Sequence, residues 1–350
     1  MDEVRVAIVG MGIGRANGRS LQKNPRGRVT AICDIIEWKM DAYAKELPEP
    51  VKCYADYREL CEDDDIDAVM VATPNQVHVP VALEAVKHGK HVLVTKPLSD
   101  SEASARKLVE AAEAAGVVNM MSLGMRFSDP VIALRELIDQ GELGEIYYSR
   151  ARSVRRAGIP DWNADFIQVG GGAFRDMGVH VLDVAWWLLG MPEPVSVSGV
   201  GGAKFGPRGR HYWRFQPPAP EYAAKFAVDD YAGGLIRFAG GVGLQIESFW
   251  ASHQAPPTET QVELFGTDAG AQLRPLTLYR TVDGAPLDIT VTPPAGNTGF
   301  DLVANHFIDC ILDGVPCQAP LRHGLIVQEM MEGMLRSAEI GREIRMDERL

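Results

Sequence analysis

The stretch VAIVGMGIGRANG, residues 6–18, decides the fold. A short apolar run ends at Val9. Gly10, Gly12 and Gly14 follow it, and then a helix-like stretch reaches Leu21. A strand that turns through glycines into a helix lets the backbone approach a pyrophosphate, with the helix N-terminus facing its charge. Ile13 lies inside that turn and shares the candidate cofactor surface. The spacing is irregular. Counted from Gly10 in a G-x-G-x-x-G pattern, the third glycine position holds Arg15, and Gly14 comes one residue early. Asp34 strengthens the reading. It ends the second strand, residues 29–33, about 20 residues on, where a carboxylate can accept from a ribose 2′-hydroxyl. The bland alternative is a tight turn with a capping aspartate.

Working outward, apolar strands alternate with helices up to about residue 123. Strands are expected at 68–72 and 91–94, and helices at 78–88 and 100–115, with the acidic run 62–67 as a solvated loop. This alternation predicts a doubly wound parallel sheet covered on both faces. From Ile146 the texture changes to strand-like segments at 147–153, 195–200, 234–238, 242–250, 261–265 and 272–279. Ala239-Gly240-Gly241 marks a hairpin turn, so the second sheet reads as mostly antiparallel. A Gly/Pro/Arg-rich excursion interrupts it at 204–221, and helices close the chain at 302–312 and 324–337.

The chain has 350 residues, 46% hydrophobic and 23% charged, which suits two folded domains. The net charge of -12 argues against nucleic acid or an anionic membrane surface as partner. No apolar run approaches a membrane span. The start, MDEVRVAIVG, carries no secretory pattern, and the five cysteines form no CxxC pair. Reduced thiols in the cytoplasm are therefore expected.

A second stretch carries the chemistry: GGGAFRDMGVHVLDVAWWLLG, residues 170–190. It reads as one helix from the glycines to a Gly190 stop, with Pro192 just beyond. At 100° per residue, Asp176, His180 and Asp183 share a narrow stripe on a helix otherwise apolar nearly all round. Ionisable groups on a buried helix must be paired, solvated in a cavity or used. The rival readings are a satisfied core histidine and an Asp/His/Asp metal set. No further His/Cys pair is placed to complete the metal set, and no metal is expected. The arginines at 150, 152, 155 and 156 read as a solvated face, a subunit contact or a grip on an anionic substrate. Trp162, in GIPDWNADF, could stack on a sugar face or pack in the core.

The segment DAVMVATPNQVHVPVALEAVKHGKHVLVTKPLS, residues 67–99, resembles a signature of the Gfo/Idh/MocA oxidoreductases, the glucose–fructose oxidoreductase and inositol dehydrogenase family. The glycine run followed by D-x-G-x-H-x-x-D at 176–183 resembles the family's second signature. MRFSDP, GELGEIYYSRAR and ESFWASH extend the similarity over essentially the whole chain. The resemblance implies a Rossmann domain at 1–123 and an α/β domain at 124–350, whose large sheet binds substrate and mediates a homodimer or homotetramer. It implies NAD as cofactor, NADP being the lesser choice, with contacts from Thr73, Pro74, Asn75 and His78. The family's E-K-P motif falls on Thr95-Lys96-Pro97. Lys96 thereby takes the catalytic-lysine position, touching both cofactor and substrate, and Thr95 departs from the usual Glu. Asp176 and His180 take the D-x-x-x-H positions, and Arg126 and Trp162 join them as substrate contacts.

Elementary chemistry agrees with these roles. Oxidising a secondary alcohol removes a proton from oxygen while a hydride leaves carbon, which suits a neutral imidazole as base. A lysine stabilises the developing alkoxide. Asp176 would accept from a neighbouring hydroxyl or orient Lys96, and Asp183 would fix the imidazole tautomer. The expected function is NAD-dependent oxidation of a sugar, inositol or related cyclic polyol. The alternatives are an NADP-linked keto-sugar reductase, an NAD-dependent glycosidase and a dinucleotide-binding regulator.

Overall fold

The structure, a computed structural model, describes residues 2–168, 170–255, 259–293 and 299–348. The chain forms two compact units, Met1–Phe127 with Asn297–Ile326, and Ser128–Gly296 with Val327–Leu350. The expected single cut after residue 123 is revised, because the chain returns to the first unit near its end. The helix Gly299–Leu312 explains why. Its Asp309 and Asp313 pair with Arg26 at 2.5 and 2.8 Å, and its Asp301 accepts from Ser20 at 2.6 Å. A Cβ on Gly27 would lie 2.6 Å from Ile308, so the glycine lets this helix sit close.

In the first unit, β1 (Val4–Val9), β2 (Gly27–Cys33), β3 (Lys52–Tyr54), β4 (Ala68–Val71), β5 (His91–Val94) and β6 (Asn119–Met121) form one parallel sheet. Their order is β3-β2-β1-β4-β5-β6. All four residues of β4 are buried, as expected for a strand with both faces covered. Helices Gly14–Lys23, Glu37–Ala44, Tyr57–Glu62, Asn75–Lys87 and Glu102–Ala115 follow successive strands. The strand order reverses between β1 and β4, the topological position at which open α/β sheets bind ligands beyond the strands' carboxyl ends.

The second unit holds β7 (Ile146–Val154), β8 (Pro194–Gly202), β9 (Tyr231–Phe238), β10 (Gly243–Phe249), β11 (Glu259–Gly266), β12 (Gly270–Leu273), β13 (Leu276–Val282), β14 (Ala285–Thr290) and β15 (Ile344–Arg345). The order is β14-β13-β12-β11-β7-β10-β9-β8-β15, and only the β7–β10 pairing is parallel. The single strand expected at 272–279 is two, β12 and β13, with Arg274-Pro275 between them. Proline has no N–H to give a ladder.

Alternation gives this sheet two different faces. Ala151 registers with Ile246 and Val262, all buried, on the face packed by the helix Val179–Leu188. Full burial of residues such as Leu182, Val184 and Trp186 on that helix contributes about 1.5–3 kcal/mol each. The opposite face carries Tyr148, Arg150, Glu263 and Phe265. There Arg150 pairs with Glu263 at 3.0 Å and lies 5.1 Å from the Phe265 ring centre. Among the described residues no helix is long and apolar enough to cross a membrane.

Candidate active site

Gly10 has φ +97°, and a Cβ there would lie 2.4 Å from the Ala72 carbonyl oxygen, so only glycine fits between the ends of β1 and β4. Gly12 is the reverse: a Cβ would meet nothing within 4 Å. Gly14 opens the helix, and its absent Cβ would sit 2.9 Å from Ile8. It therefore does the helix–sheet packing expected of a third glycine, which accounts for the irregular spacing. The helix has no side-chain cap and no acidic residue in its first turn, and it follows directly on Gly12 and half-exposed Ile13. Asp34 closes the turn. Its carboxylate accepts from Met11 N at 2.7 Å and Ile36 N at 2.9 Å. The capping and cofactor readings of Asp34 are thus compatible, since each oxygen keeps a second lone pair.

After β4, Thr73 carries a buried hydroxyl with no hydrogen-bond partner among the described residues, and Pro74 and Asn75 start the next helix. An orphan hydroxyl beside an open anion-binding turn fits a bound dinucleotide. His78 is placed otherwise than expected. It is 1% exposed, its Nδ1 lies 2.8 Å from Pro97 O, and its Nε2 lies 2.8 Å from Thr73 O and 3.1 Å from Thr95 Oγ1. Burial depresses its pKa, while the carbonyls of Pro97 and Thr73 act in the opposite direction. Rather than touching cofactor, His78 ties the turn after β4 to the Thr95-Lys96-Pro97 turn after β5. Lys96 is half-buried in that turn, between buried Thr95 and Pro97.

In the second unit, two adjacent glycines are wedged tight. A Cβ on Gly171 would lie 2.0 Å from Phe166 O, and one on Gly172, at φ +109°, 2.1 Å from Asp229 Oδ1. The helix then begins with a π-helical turn, Phe174–Gly178, before the regular Val179–Leu188. The uniform 100° stripe is therefore broken at Asp176, in the kind of wide turn that recurs at functional sites. Asp176 Oδ2 accepts from Trp250 Nε1 at 3.0 Å. Asp176 and His180 are half-exposed, whereas Asp183 is 1% exposed. Trp162 is 56% exposed.

Two comparisons of sequence place this site among known enzymes. Residues 4–123 match the model of the oxidoreductase family with an NAD-binding Rossmann fold, and residues 131–272 match the GFO/IDH/MocA C-terminal domain. The chain belongs to the GFO/IDH/MocA oxidoreductase family. It is 28% identical over 345 residues to D-glucoside 3-dehydrogenase of Escherichia coli K12, covering 97% of each chain. It is 28% identical to scyllo-inositol 2-dehydrogenase (NAD(+)) of Bacillus subtilis 168, covering 89% of this chain and 87% of the other. The crystal structure of GenD2 from gentamicin A biosynthesis, in complex with NAD, superimposes with a TM-score of 0.79 at 26% identity, covering 99% and 97%. The protein is thus an NAD-dependent oxidoreductase.

Within this family frame, Thr95 departs from the usual Glu, and the structure shows what replaces it. Its hydroxyl donates to Val71 O at 3.1 Å and lies 3.1 Å from His78 Nε2. Arg126 also departs from expectation. It is 1% exposed and donates to Gln318 O at 2.7 Å, a structural anchor where a substrate contact was expected. Of the arginines, Arg150 lies on the solvated face, while half-buried Arg155 lies near Asp176.

Sequence reasoning missed Asp229 and Asp230, adjacent acids ahead of β9. Asp229 accepts from Phe174 N at 2.9 Å, and burial pushes its pKa up to about 6. Asp230 accepts from the N–H groups of Lys204, Phe205 and Gly206 at 2.7–3.0 Å. Two acids in an otherwise apolar run were the available signal. The first unit also gathers His306, Cys310 and Cys317, with ligand atoms within 4.8 Å of one another. Cys310 Sγ lies 3.5 Å from His306 Nε2, and the proximity of the two sulfurs lowers the Cys317 pKa and raises that of Cys310.

Proposed function

We propose that this protein oxidises a secondary alcohol on a sugar, inositol or related cyclic polyol, with NAD accepting the hydride. The observation that carries the reading is the preparation of an acid/base pair. Asp176 is held by the Trp250 indole in a π-helical turn, and half-exposed His180 follows on a helix that is otherwise core. When bound, NAD supplies the hydride acceptor. Gly10, Gly12, Ile13 and Gly14 present backbone to its pyrophosphate, with Thr73, Pro74 and Asn75 after the neighbouring strand.

In the proposed reaction His180 takes the hydroxyl proton, Lys96 stabilises the charge developing on that oxygen, and Asp176 orients a neighbouring hydroxyl. Asp183, buried on the same helix, fixes the tautomer of the imidazole. The two relatives named above act on a glucoside and an inositol, which supports a ring polyol as substrate. A panel of monosaccharides, glycosides and inositols, assayed with NAD and NADP by NADH or NADPH absorbance, tests the reading. Turnover of ring polyols with NAD is expected. Reaction only with substrates bearing no secondary alcohol would overturn it.

The same reading includes assembly and location. The outer sheet face around Tyr148, Arg150 and Phe265 offers aromatic and charged surface suited to a second copy, giving a homodimer or homotetramer in the cytoplasm. Multi-angle light scattering at micromolar concentration tests this, and a monomer would exclude it.

A further inference from the structure

Beside Asp176, the second unit builds a wall of aromatic side chains from two segments distant in sequence, and the reaction proposed above leaves it unused. The first segment leaves β7. Arg155 N donates to Phe249 O at 2.8 Å, which sets Arg155 next to Trp250, the residue whose indole holds Asp176. The second segment is the 204–221 excursion, and backbone bonds fasten it to the first. Ile159 N donates to His211 O at 3.3 Å, Trp213 N donates to Ile159 O at 2.9 Å, and His211 Nδ1 lies 2.6 Å from Arg156 O. The Arg155 guanidinium then lies 5.4 Å from the centre of the Trp213 ring. Trp213 meets Trp162 edge-on at 5.3 Å.

This wall is rigid at its base and open at its top. Beneath it, Ile159, Ile167, Tyr212 and Trp250 pack into a small core of their own, joined by Phe205 and Phe226. The Asp230 carboxylate clamps the start of the excursion. Against that base, His211, Arg214 and Phe215 hold φ of 59°, 54° and 61°. Left-handed backbone at bulky residues is strained and persists only where the surroundings impose it. Trp162 nevertheless stays 56% exposed and Phe215 60%. Aromatic rings held outward on a strained, anchored loop, continuous with the acid/base residues through Arg155, suit a flat ligand ring that stacks on indole while its hydroxyls meet a guanidinium fork.

We propose that this wall is a subsite for a second ring, so that the substrate is a glycoside and not a free monosaccharide or cyclitol. The reacting ring lies at Asp176 and His180, and the ring attached to it lies against Trp213 and Trp162, with Arg155 between. The inference rests on the dehydrogenase reading of the same site. It adds the substituent that the oxidised ring must carry.

The test uses the full-length protein saturated with NAD. Initial rates are compared for glucose, galactose and myo-inositol and for the methyl glycosides, phenyl glycosides and β-linked disaccharides of the two sugars. The expected result is a kcat/KM for phenyl glycosides or disaccharides at least about tenfold above that of the parent sugar. Trp162→Ala, at an exposed position, and Trp213→Ala should each shrink that ratio by about tenfold, chiefly through KM, and Trp213→Phe should restore much of it. Glycosides used no better than parent sugars, activity confined to inositols, or variants that lower both substrates equally would overturn the subsite while leaving the dehydrogenase reading intact. No oxidation of any ring polyol would overturn that reading, and the subsite with it.

Discussion

The chain uses the same device twice, a cluster of glycines leading into a helix, and turns it to opposite ends. At residues 10–14 the helix N-terminus has no cap of its own and the space beside Gly12 is empty of protein atoms within 4 Å. At residues 170–174 the corresponding N–H of Phe174 is taken by the buried carboxylate of Asp229, and a Cβ on Gly171 or Gly172 would collide with Phe166 or Asp229. The first turn keeps its electrostatics for a foreign anion. The second spends none on a ligand and instead fixes Asp176 and His180 in place. Glycine spacing alone does not separate a binding turn from a positioning turn; the source of the anion at the helix end does.

The largest effect should come from the proposed catalytic groups, His180 beyond the second turn and Lys96 in the turn after β5. His180→Ala and Lys96→Ala should each lower kcat by roughly 10²–10⁴, typical of losing a positioned acid/base or charge-stabilising group. Binding of NAD, followed by fluorescence titration, should persist in His180→Ala. Near-wild-type turnover in either variant would remove that residue from the mechanism.

Next comes the internal anion. The folded-state pKa of Asp229 is raised to about 6, chiefly by burial, from the ordinary aspartate value of 3.8. As pH rises between these values the unfolded chain loses its proton first, so the folded state binds more protons and stability falls. From this group the loss amounts to about 3 kcal/mol by pH 7. Carboxylates held low, such as Asp63 at about 2 beside Lys52, contribute with the opposite sign at lower pH. The informative quantity is therefore wild type minus Asp229→Asn, from urea unfolding between pH 4 and 7. That difference should decline with pH. A flat difference would mean that Asp229 does not carry an uncompensated burial cost.

The glycines themselves give a smaller contrast. Gly172→Ala forces a Cβ against Asp229 at φ +109° and should destabilise the protein by about 2 kcal/mol or more, read as a lowered Tm. Gly12→Ala meets no protein atom and should leave Tm nearly unchanged while weakening NAD binding. Equal Tm changes in the two variants would erase the distinction between the turns.

How much of this was legible beforehand follows from where the signals lie. Val4–Val9, the glycines and Asp34 are contiguous and patterned, so the parallel sheet could be read directly. The three-residue strands Lys52–Tyr54 and Asn119–Met121 are too short to show a period. Asp176 and His180 were visible as polar residues on an apolar helix, but the π-helical turn that holds Asp176 was not, because no residue pattern marks the extra backbone residue. Asp229 and Trp250 act on that turn from 55 and 74 residues away, a distance at which single-sequence periodicity carries no information. His78 and Arg126 illustrate the converse. Their motif positions were legible, yet partners supplied by Pro97, Thr73 and Gln318 make them anchors of the core.

The smallest expected effect concerns the foreign anion at the first turn. Asp34 is pinned by Met11 N and Ile36 N at the end of β2, where the adenosine ribose of a dinucleotide lies in a Rossmann fold. A 2′-phosphate would set a second anion beside this carboxylate. Compensation is poor: the Arg15 and Arg19 guanidiniums are engaged with Glu46, and the Lys39 ammonium lies 5.9 Å from the ring centre of Trp38. NAD should therefore be preferred over NADP by at least about tenfold in kcat/KM, or about 1.4 kcal/mol. Ile35 is 91% exposed, so Ile35→Arg adds a phosphate-binding cation without disturbing packing and should narrow the preference alone. Asp34→Ser with Ile35→Arg should narrow it further or reverse it, at some cost to the turn that Asp34 now holds with two hydrogen bonds. If the unmodified protein uses NADP as efficiently as NAD, Asp34 only closes the glycine turn, and the first turn's selectivity for its anion must come from elsewhere in the crevice.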